Sequence, residues 1–295
     1  MSPDQFFQYL VSGITQGSIY ALVALGFTII YAVTKIINFA QGEFVMLGGM
    51  LSFTFINAMG IPFVPSLILA VLSTAVVGAV LYMLAIRTAR KASVVSLIII
   101  TIGASIFIRG IARQLLGVDS VRPPFFSGDE SLLFMGAIIR PQALWIIGTT
   151  IVVTVILHLF FTYTMMGNAL KASSISKMAA AKVGINTRTM ALCAFILAAT
   201  IGGISGIVMA PLALTSYNVG VMMGLKGFVS ASIGGFKSPI ISVIGGISIG
   251  IIESLAVGIN WGPFTSSYKD VIAIMVLLLI LLIRSGKLAT EERTA

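Results

Sequence analysis

The first long apolar run of the chain decides the fold class. It runs YLVSGITQGSIYALVALGFTIIY from Tyr9 to Tyr31 and contains no charged residue. A helix needs about 20 predominantly apolar residues to cross the hydrocarbon core of a bilayer, so this run is long enough to be a membrane span. Met1–Gln8 contains Asp4 but no lysine or arginine. A cleavable signal peptide has a basic first segment, so we expect this run to remain as a permanent span.

The composition of the whole chain agrees with this first run. Of the 295 residues 58% are hydrophobic and 9% are charged, whereas about 25% of the residues of a soluble domain are charged. The apolar residues lie in continuous runs, which excludes an outer-membrane barrel, whose strands alternate apolar and polar residues. The sequence therefore predicts an all-α, polytopic transmembrane bundle that forms a single domain over residues 1–295, with eight to nine crossings that include short or broken helices.

Nine apolar runs follow one another along the chain. They are Tyr9–Tyr31, Phe44–Met59, Phe63–Ile86, Ser93–Leu116, Ala143–Tyr163, Met190–Leu214, Val219–Gly235, Ile240–Ile259 and Ser266–Ile283. The second and the seventh are short for a full crossing. Glycines four residues apart, such as Gly13 and Gly17, are typical of helices that pack closely in a membrane.

The distribution of charge predicts the orientation. The net charge of +9 is explained by basic cytoplasmic connectors, and we predict no nucleic-acid partner. These connectors contain Arg87, Arg90 and Lys91, then Lys171, Lys177, Lys182 and Arg188, and finally Arg284, Lys287 and Arg293. An even number of crossings must separate two cytoplasmic connectors, so Val219–Gly235 is expected to cross. The same count places the N-terminus outside and the C-terminus inside.

The motifs of several enzyme classes are missing from the sequence. It contains no phosphate-binding loop with its lysine, no zinc-protease motif and no nucleophile elbow. One histidine, one cysteine and scattered carboxylates form no cluster with metal-ligand spacing. We therefore expect neither a cofactor nor a metal site, and no ATP hydrolysis by this chain.

Polar residues inside or beside the spans are the candidates for a substrate path, because such groups are costly at membrane depth. Asn38, Gln41 and Glu43 form a polar break between two apolar runs, and Glu253 lies near the middle of the eighth run. Broken helices with polar groups often line the path of a transporter. The alternative is structural: a helix cap at Asn38, or an interhelical bond of Glu253 with Lys226 or with main-chain and hydroxyl donors. Lys226 and Arg109 are the candidate basic partners of Glu253.

The composition of the connector at residues 165–189 predicts a short helix. Its Ala169–Val183 stretch is rich in alanine and good helix formers and is followed by Gly184, which favours a short helix outside the bilayer. Its lysines suit anionic lipid. The same helix also suits a cytoplasmic partner.

Two stretches near the front of the chain resemble a known family. Gly17–Gly26 (GSIYALVALG) and Ile37–Phe44 (INFAQGEF) are similar to the first part of LivH-type permeases, the membrane subunits of branched-chain amino acid ABC importers. The glycine-rich Gly245–Glu253 and the stretch Ser266–Asp270 (SSYKD) resemble later parts of the same family. The likeness covers nearly the whole chain in the same order.

The connector also resembles the loop by which ABC importer permeases dock on their ATPase. The family motif Glu-Ala-Ala-x-x-x-Gly corresponds here to Met178, Ala179, Ala180 and Gly184, with methionine in the place of glutamate. The residues expected to couple the chain to the ATPase are Leu170, Ile175, Met178, Ala179, Ala180 and Gly184. The cytoplasmic tail, residues 284–295, also departs from the family, because Arg284–Leu288 lacks its usual proline.

The resemblance implies a division of labour among several proteins. It implies a second homologous permease chain, two ATP-binding subunits that hydrolyse ATP, and a periplasmic substrate-binding protein. It places the chain in the bacterial inner membrane, with branched-chain or other hydrophobic amino acids as cargo. Two alternatives remain: a related importer for urea, short amides or other small organics, and an ion-coupled carrier in which Glu253 and Glu43 would bind a proton or sodium.

Overall fold

A computed structural model describes residues 2–89, 92–128, 130–134, 136–236, 238–259, 271 and 274–275. The ninth apolar run lies almost wholly outside these residues. Its polar opening, Ser266–Asp270, and the tail at 284–295 lie entirely outside them. The predictions made for these segments therefore stay predictions.

Ten α-helices and one short hairpin form the described part of the chain. In chain order they are α1 (Pro3–Thr34), α2 (Gln41–Phe53), α3 (Phe63–Leu81), α4 (Val94–Leu116), β1 (Leu132–Phe134), β2 (Ala137–Ile139), α5 (Pro141–Tyr163), α6 (Met165–Ile175), α7 (Lys177–Lys182), α8 (Thr187–Ala213), α9 (Val219–Ile233) and α10 (Pro239–Ile259). The strands β1 and β2 are antiparallel. The predicted all-α, polytopic architecture is confirmed.

Six of the described helices are long and apolar enough to cross a bilayer. They are α1, α3 with its π-helical extension to Ile86, α4, α5, α8 and α10. The two runs that are short in sequence are also short in structure: α2 continues only through a π-helical turn at Thr54–Ala58, and α9 has 15 residues. This count covers the described residues, and the total number of crossings stays a prediction.

The central helix of the bundle is α1. It begins at a capping box between Ser2 and Gln5, which satisfies main-chain donors at the helix start. From Gly13 onward almost every residue is buried against α5, α8, α9 and α10. A helix that is apolar on all sides lies in a protein core or spans a membrane, and here neighbouring helices cover it. The first apolar run is therefore the core of the bundle.

Close contact between α1 and α10 depends on glycine. A Cβ atom added to Gly17 would lie 2.6 Å from the Cα atom of Ile247, and one added to Gly13 would lie 2.7 Å from that of Ile251. Gly246 and Gly250 on α10 face α1 at similar distances. Small residues let two membrane helices approach until their backbones touch. The predicted packing role of these glycines is confirmed.

The peripheral helices α3, α4 and α5 carry apolar side chains on their outer surfaces. Ile106 and Phe107 on α4 are 62% and 68% exposed, and Ile151 and Ile156 on α5 are similarly exposed. Water would make such surfaces costly, whereas lipid or another membrane helix matches them. Together with the six long apolar helices, these surfaces describe a multi-pass membrane protein.

Contacts at the two ends of α1 show which connectors share an end of the bundle. Near its start, Gln8 exchanges two hydrogen bonds with the main chain of Ile138 in the hairpin. At its end, Thr34 contacts Lys177 of the connector. The hairpin and the connector therefore lie at opposite ends, as the count of basic connectors requires.

Candidate functional site

The link between α1 and α2 carries three of the predicted path residues. The chain leaves α1 at Lys35, whose φ of +63° is left-handed, and enters α2 at Gln41. Asn38 and Gln41 are fully buried, and Glu43 is 1% exposed. The side-chain oxygen of Asn38 accepts a hydrogen bond from the main-chain N–H of Ala40, so it helps to shape the turn before α2.

Gln41 fills the space between α1 and α8. Its Nε2 donates to the carbonyl oxygen of Ala198 at 3.0 Å. A Cβ atom on Gly26 would collide with the amide, and one on Gly202 would lie 3.3 Å from Nε2. Because both neighbours are glycines, a long polar side chain fits between two helices inside the bundle.

Glu43 is held by a polar row on α4. Its Oε1 accepts hydrogen bonds from Ser105 at 2.7 Å and from Arg109 at 3.2 Å. Thr101 is four residues before Ser105 and accepts a bond from the main-chain N–H of Phe39 in the link. Residues spaced by four share a helix face. This spacing was available in the sequence, but Thr101 and Ser105 were not singled out there.

Glu253 lies in a second cluster, formed by α1, α9 and α10. Its Oε1 is 2.6 Å from Nζ of Lys226, and its Oε2 accepts a hydrogen bond from Tyr20 at 3.0 Å. Lys226 also donates to the Tyr20 hydroxyl at 3.0 Å. The predicted pairing of Glu253 with Lys226 is confirmed. Arg109, the other cation considered, belongs to the Glu43 cluster instead.

The four predicted path residues do not line an open channel in this conformation. None of Asn38, Gln41, Glu43 and Glu253 is more than 6% exposed, so each faces the interior of the subunit. Within the described residues Asn38 Nδ2, Gln41 Oε1 and Glu43 Oε2 have no hydrogen-bond partner. Buried polar atoms without partners are costly. The link thus holds unused polar capacity that water or a substrate would satisfy.

The six predicted coupling residues divide into two groups. Ile175 and Met178 are 86% and 73% exposed. Ala179 and Gly184 are exposed as well. Leu170 and Ala180 are 0% and 3% exposed, so they face the bundle and not the outer surface of the connector. Leu170 packs into the apolar core of the bundle.

The connector forms two helices, α6 and α7, instead of the one expected over Ala169–Val183. Ser176 separates them, with an extended φ of −150°, and its hydroxyl accepts a hydrogen bond from the main-chain N–H of Ala179. A serine in this position begins a new helix. The turn leaves Ile175, the last residue of α6, and Met178, in the first turn of α7, exposed within a few residues of each other.

His158 and Lys171 border the same cavity. It has a volume of about 220 Å3 and lies where α1, α5 and α6 meet the start of α10. Its other lining residues are mainly apolar, with hydroxyl groups from Thr28, Thr154, Thr162, Ser174 and Ser238. Within the part of the chain that the structure describes, no three His, Cys, Asp or Glu side chains are grouped to hold a metal ion.

The family of the chain follows from comparison with known sequences. Residues 9–281 match the family described as the branched-chain amino acid transport system permease component. The chain belongs to this family. The match includes α1 to α10, and with them the link, both charged clusters and the connector.

Individual relatives of the permease agree with the family match. The permease is 32% identical to the high-affinity branched-chain amino acid transport system permease protein LivH of Escherichia coli, over 94% of this chain and 93% of that protein. It is 29% identical to the corresponding protein BraD of Pseudomonas aeruginosa, over 97% of both.

A solved structure supports the fold. The permease resembles a chain in the structure titled PsaBC from Streptococcus pneumoniae in complex with Fab, with a TM-score of 0.50 over 93% of this chain and 91% of that one. The two are 13% identical in sequence. At that identity the likeness concerns the arrangement of helices alone.

Proposed function

We propose that the permease is the membrane-spanning subunit of an ABC importer for branched-chain or other hydrophobic amino acids. The observation that carries this proposal is the family match over residues 9–281, together with relatives that are named as branched-chain amino acid permeases. In this proposal residues 1–295 form one permease domain in the bacterial inner membrane, with the connector at 165–189 and the tail at 284–295 in the cytoplasm.

The partners follow from the same proposal. A second homologous permease chain would complete the path, two ATP-binding subunits would hydrolyse ATP, and a periplasmic binding protein would deliver the amino acid. The ATP-binding subunits would move the permease pair between inward-open and outward-open states by binding one state better than the other. Asn38, Gln41, Glu43 and Glu253 are proposed to lie beside the path that opens in this change.

The connector is proposed to dock on an ATP-binding subunit through Ile175, Met178, Ala179 and Gly184. Two large apolar side chains exposed on a connector outside the bilayer support this, because water does not favour such a surface and a protein groove does.

The charged clusters support an importer over an ion-coupled carrier. A carrier would need Glu253 to exchange a proton or sodium ion during each cycle. Glu253 instead contacts both Lys226 and Tyr20, and Glu43 contacts Arg109. A carboxylate with a cation beside it already has its counter-charge, which disfavours cation binding.

Uptake into proteoliposomes tests the cargo. The permease, reconstituted with its second permease chain, the ATP-binding subunits and the periplasmic binding protein, is expected to take up radiolabelled leucine, isoleucine or valine only when ATP is supplied. Unlabelled valine should compete, whereas urea and acetamide should not. Competition by urea or acetamide alone would favour the related importer for small organics, and uptake driven by an ion gradient without ATP would favour a carrier.

Changes in the exposed pair test the docking site. The double variant Ile175→Glu, Met178→Glu is expected to weaken binding of the ATP-binding subunit by at least about tenfold, since exposed apolar anchors commonly contribute more than 1 kcal/mol each to an interface. Leu133→Glu is the control, because Leu133 is 78% exposed on the hairpin at the opposite end. Equal binding by the docking variant and the control would refute the docking site.

A further inference from the structure

One lysine of the connector forms a hydrogen bond with the end of the central helix. Lys177 is the first residue of α7, and its Nζ donates a hydrogen bond of 2.7 Å to the main-chain carbonyl oxygen of Thr34. Thr34 is the last residue of α1. The carbonyl groups of a final helical turn have no partner within their own helix. The ammonium therefore satisfies such a carbonyl, at the end of the helix where the dipole favours positive charge.

The surroundings of Lys177 disfavour its charged form, yet its ammonium donates a hydrogen bond to Thr34. Partial burial lowers the pKa of Lys177 below the ordinary value of 10.5, and the nearby charge of Lys35 lowers this pKa further. The bond to Thr34 offsets part of this cost. Lys177 and Lys182 are both exposed residues of this short helix. Lys177 is distinguished by its ammonium, which donates to Thr34 of α1, although both lysines share one helix and the same chemistry.

Thr34, which Lys177 contacts, lies where the link between α1 and α2 begins. Lys35 follows directly with its left-handed backbone, and the link to α2 begins there. The hydroxyl of Thr34 accepts a hydrogen bond from the main-chain N–H of Ile36, so Thr34 also holds the first residues of the link. Asn38 and Gln41 lie a few residues further on, and each has one buried polar atom that lacks a partner among the described residues. A displacement of α7 therefore acts on the residue from which the link starts.

We propose that Lys177 is a positioning residue that transmits movement of the connector to the link between α1 and α2. This inference rests on the proposed function, because it takes the connector as the element that docks on the ATP-binding subunit. α6 and α8 are the helices that pack beside α7. The Lys177 side chain adds a direct connection from α7 to α1, which leads to the candidate path residues.

Three variants of the full permease test this role. Lys177→Met keeps an unbranched side chain as far as the ε position and removes the ammonium. Lys177→Arg keeps the charge and the donors. Lys182→Met is the matched control on the same helix. We call the contact between Lys177 and Thr34 the tether. Amide hydrogen exchange of residues 36–40 in the permease alone shows whether the tether restrains the link. Amino acid uptake per ATP hydrolysed in the reconstituted complex measures coupling.

The tether predicts a specific pattern in both measurements. In Lys177→Met, exchange at residues 36–40 should rise about tenfold and uptake per ATP should fall by a similar factor, as expected for loss of a hydrogen bond to a charged group. The ATP-binding subunits should still bind and hydrolyse ATP. Lys177→Arg should restore most of both values, and Lys182→Met should match the unchanged protein.

The outcomes separate this inference from the proposed function. Unchanged exchange in Lys177→Met, or an equal change in Lys182→Met, would overturn the tether. Raised exchange with normal uptake per ATP would overturn its role in coupling. If the unchanged permease failed to bind any ATP-binding subunit, the proposed function and the coupling role would fall together, while the exchange measurement would still decide whether the tether exists.

Discussion

Glu253, Lys226 and Tyr20 form a closed set of polar contacts inside the bundle. Lys226 is 2% exposed and Glu253 is 6% exposed, and each pair among the three side chains is within hydrogen-bond distance. A charge without a partner is costly at this depth. Because the two charges cancel and Tyr20 bridges them, α1, α9 and α10 are joined at one point.

Removing one charge of this set should destabilise the permease more than removing both. Glu253→Gln leaves the Lys226 ammonium facing a neutral amide, and Lys226→Met leaves the carboxylate without its cation. Each single change is expected to lower the free energy of unfolding by about 3 kcal/mol, whereas the double variant should lose less than either, because breaking a buried pair costs more than replacing it.

Thermal unfolding in detergent measures this difference. Tyr82→Phe serves as a control that removes a hydroxyl from a different cluster, where Tyr82 donates to the carbonyl oxygen of Arg188. If the effects of the two single variants simply added in the double variant, the pairing would carry no coupling energy and the interpretation would be wrong.

At the scale of helices, glycine decides how closely α1 and α10 approach. A Cβ atom at Gly17 would meet main-chain atoms of α10, which cannot rotate away as a side chain can. Gly103 on α4 has the opposite surroundings, with no atom within 4 Å of an added Cβ. Both glycines lie within a helix, but Gly17 packs against another backbone and Gly103 has open space beside it.

Alanine in these two positions should therefore have effects of opposite sign. Gly17→Ala is expected to destabilise the permease by about 1–3 kcal/mol, because the two backbones must separate. Gly103→Ala should stabilise α4 by about 0.5–1 kcal/mol, since alanine loses less backbone entropy in a helix. Denaturation of both variants under one condition gives the comparison, and a loss of stability in Gly103→Ala equal to that in Gly17→Ala would contradict the packing argument.

For the whole molecule, the ends of α1 relate the connectors to the two sides of the membrane. The hairpin contacts the start of α1 and the connector contacts its end. The contacts are made by Gln8 and Thr34, and since an α-helix rises about 1.5 Å per residue, they lie roughly 39 Å apart along α1. That distance exceeds the roughly 30 Å of the hydrocarbon core, so the two connectors must lie on opposite sides if α1 spans it.

Cysteine labelling in intact cells tests the orientation. With Cys193→Ala as background, Leu133→Cys should react with a maleimide that does not cross membranes. Lys182→Cys should react only after the cells are opened, because basic connectors stay in the cytoplasm. Reaction of both cysteines in intact cells would overturn the predicted topology, and the background variant without an added cysteine controls for other reactive sites.

The sequence by itself determined the class of the molecule, its helical spans and its family resemblance. Runs such as Tyr9–Tyr31 are long and uncharged, and in a bilayer the main chain must satisfy its own hydrogen bonds, so a helix follows directly. The INFAQGEF stretch likewise pointed to the permease family. Spacing also indicated the glycine contacts, and the scarcity of cations inside the spans pointed from Glu253 to Lys226.

The partner of Glu43 and the inward side of the connector were decided only by the tertiary structure. Arg109 could serve either Glu43 or Glu253 until the helices were placed, since both carboxylates lie far from it in sequence. Leu170 and Ile175 are both apolar residues of α6, yet one is buried and the other exposed. Which face of a short connector turns inward depends on where α1 ends, and no local pattern in residues 165–189 contains that information, because burial is set by neighbours that are distant along the chain.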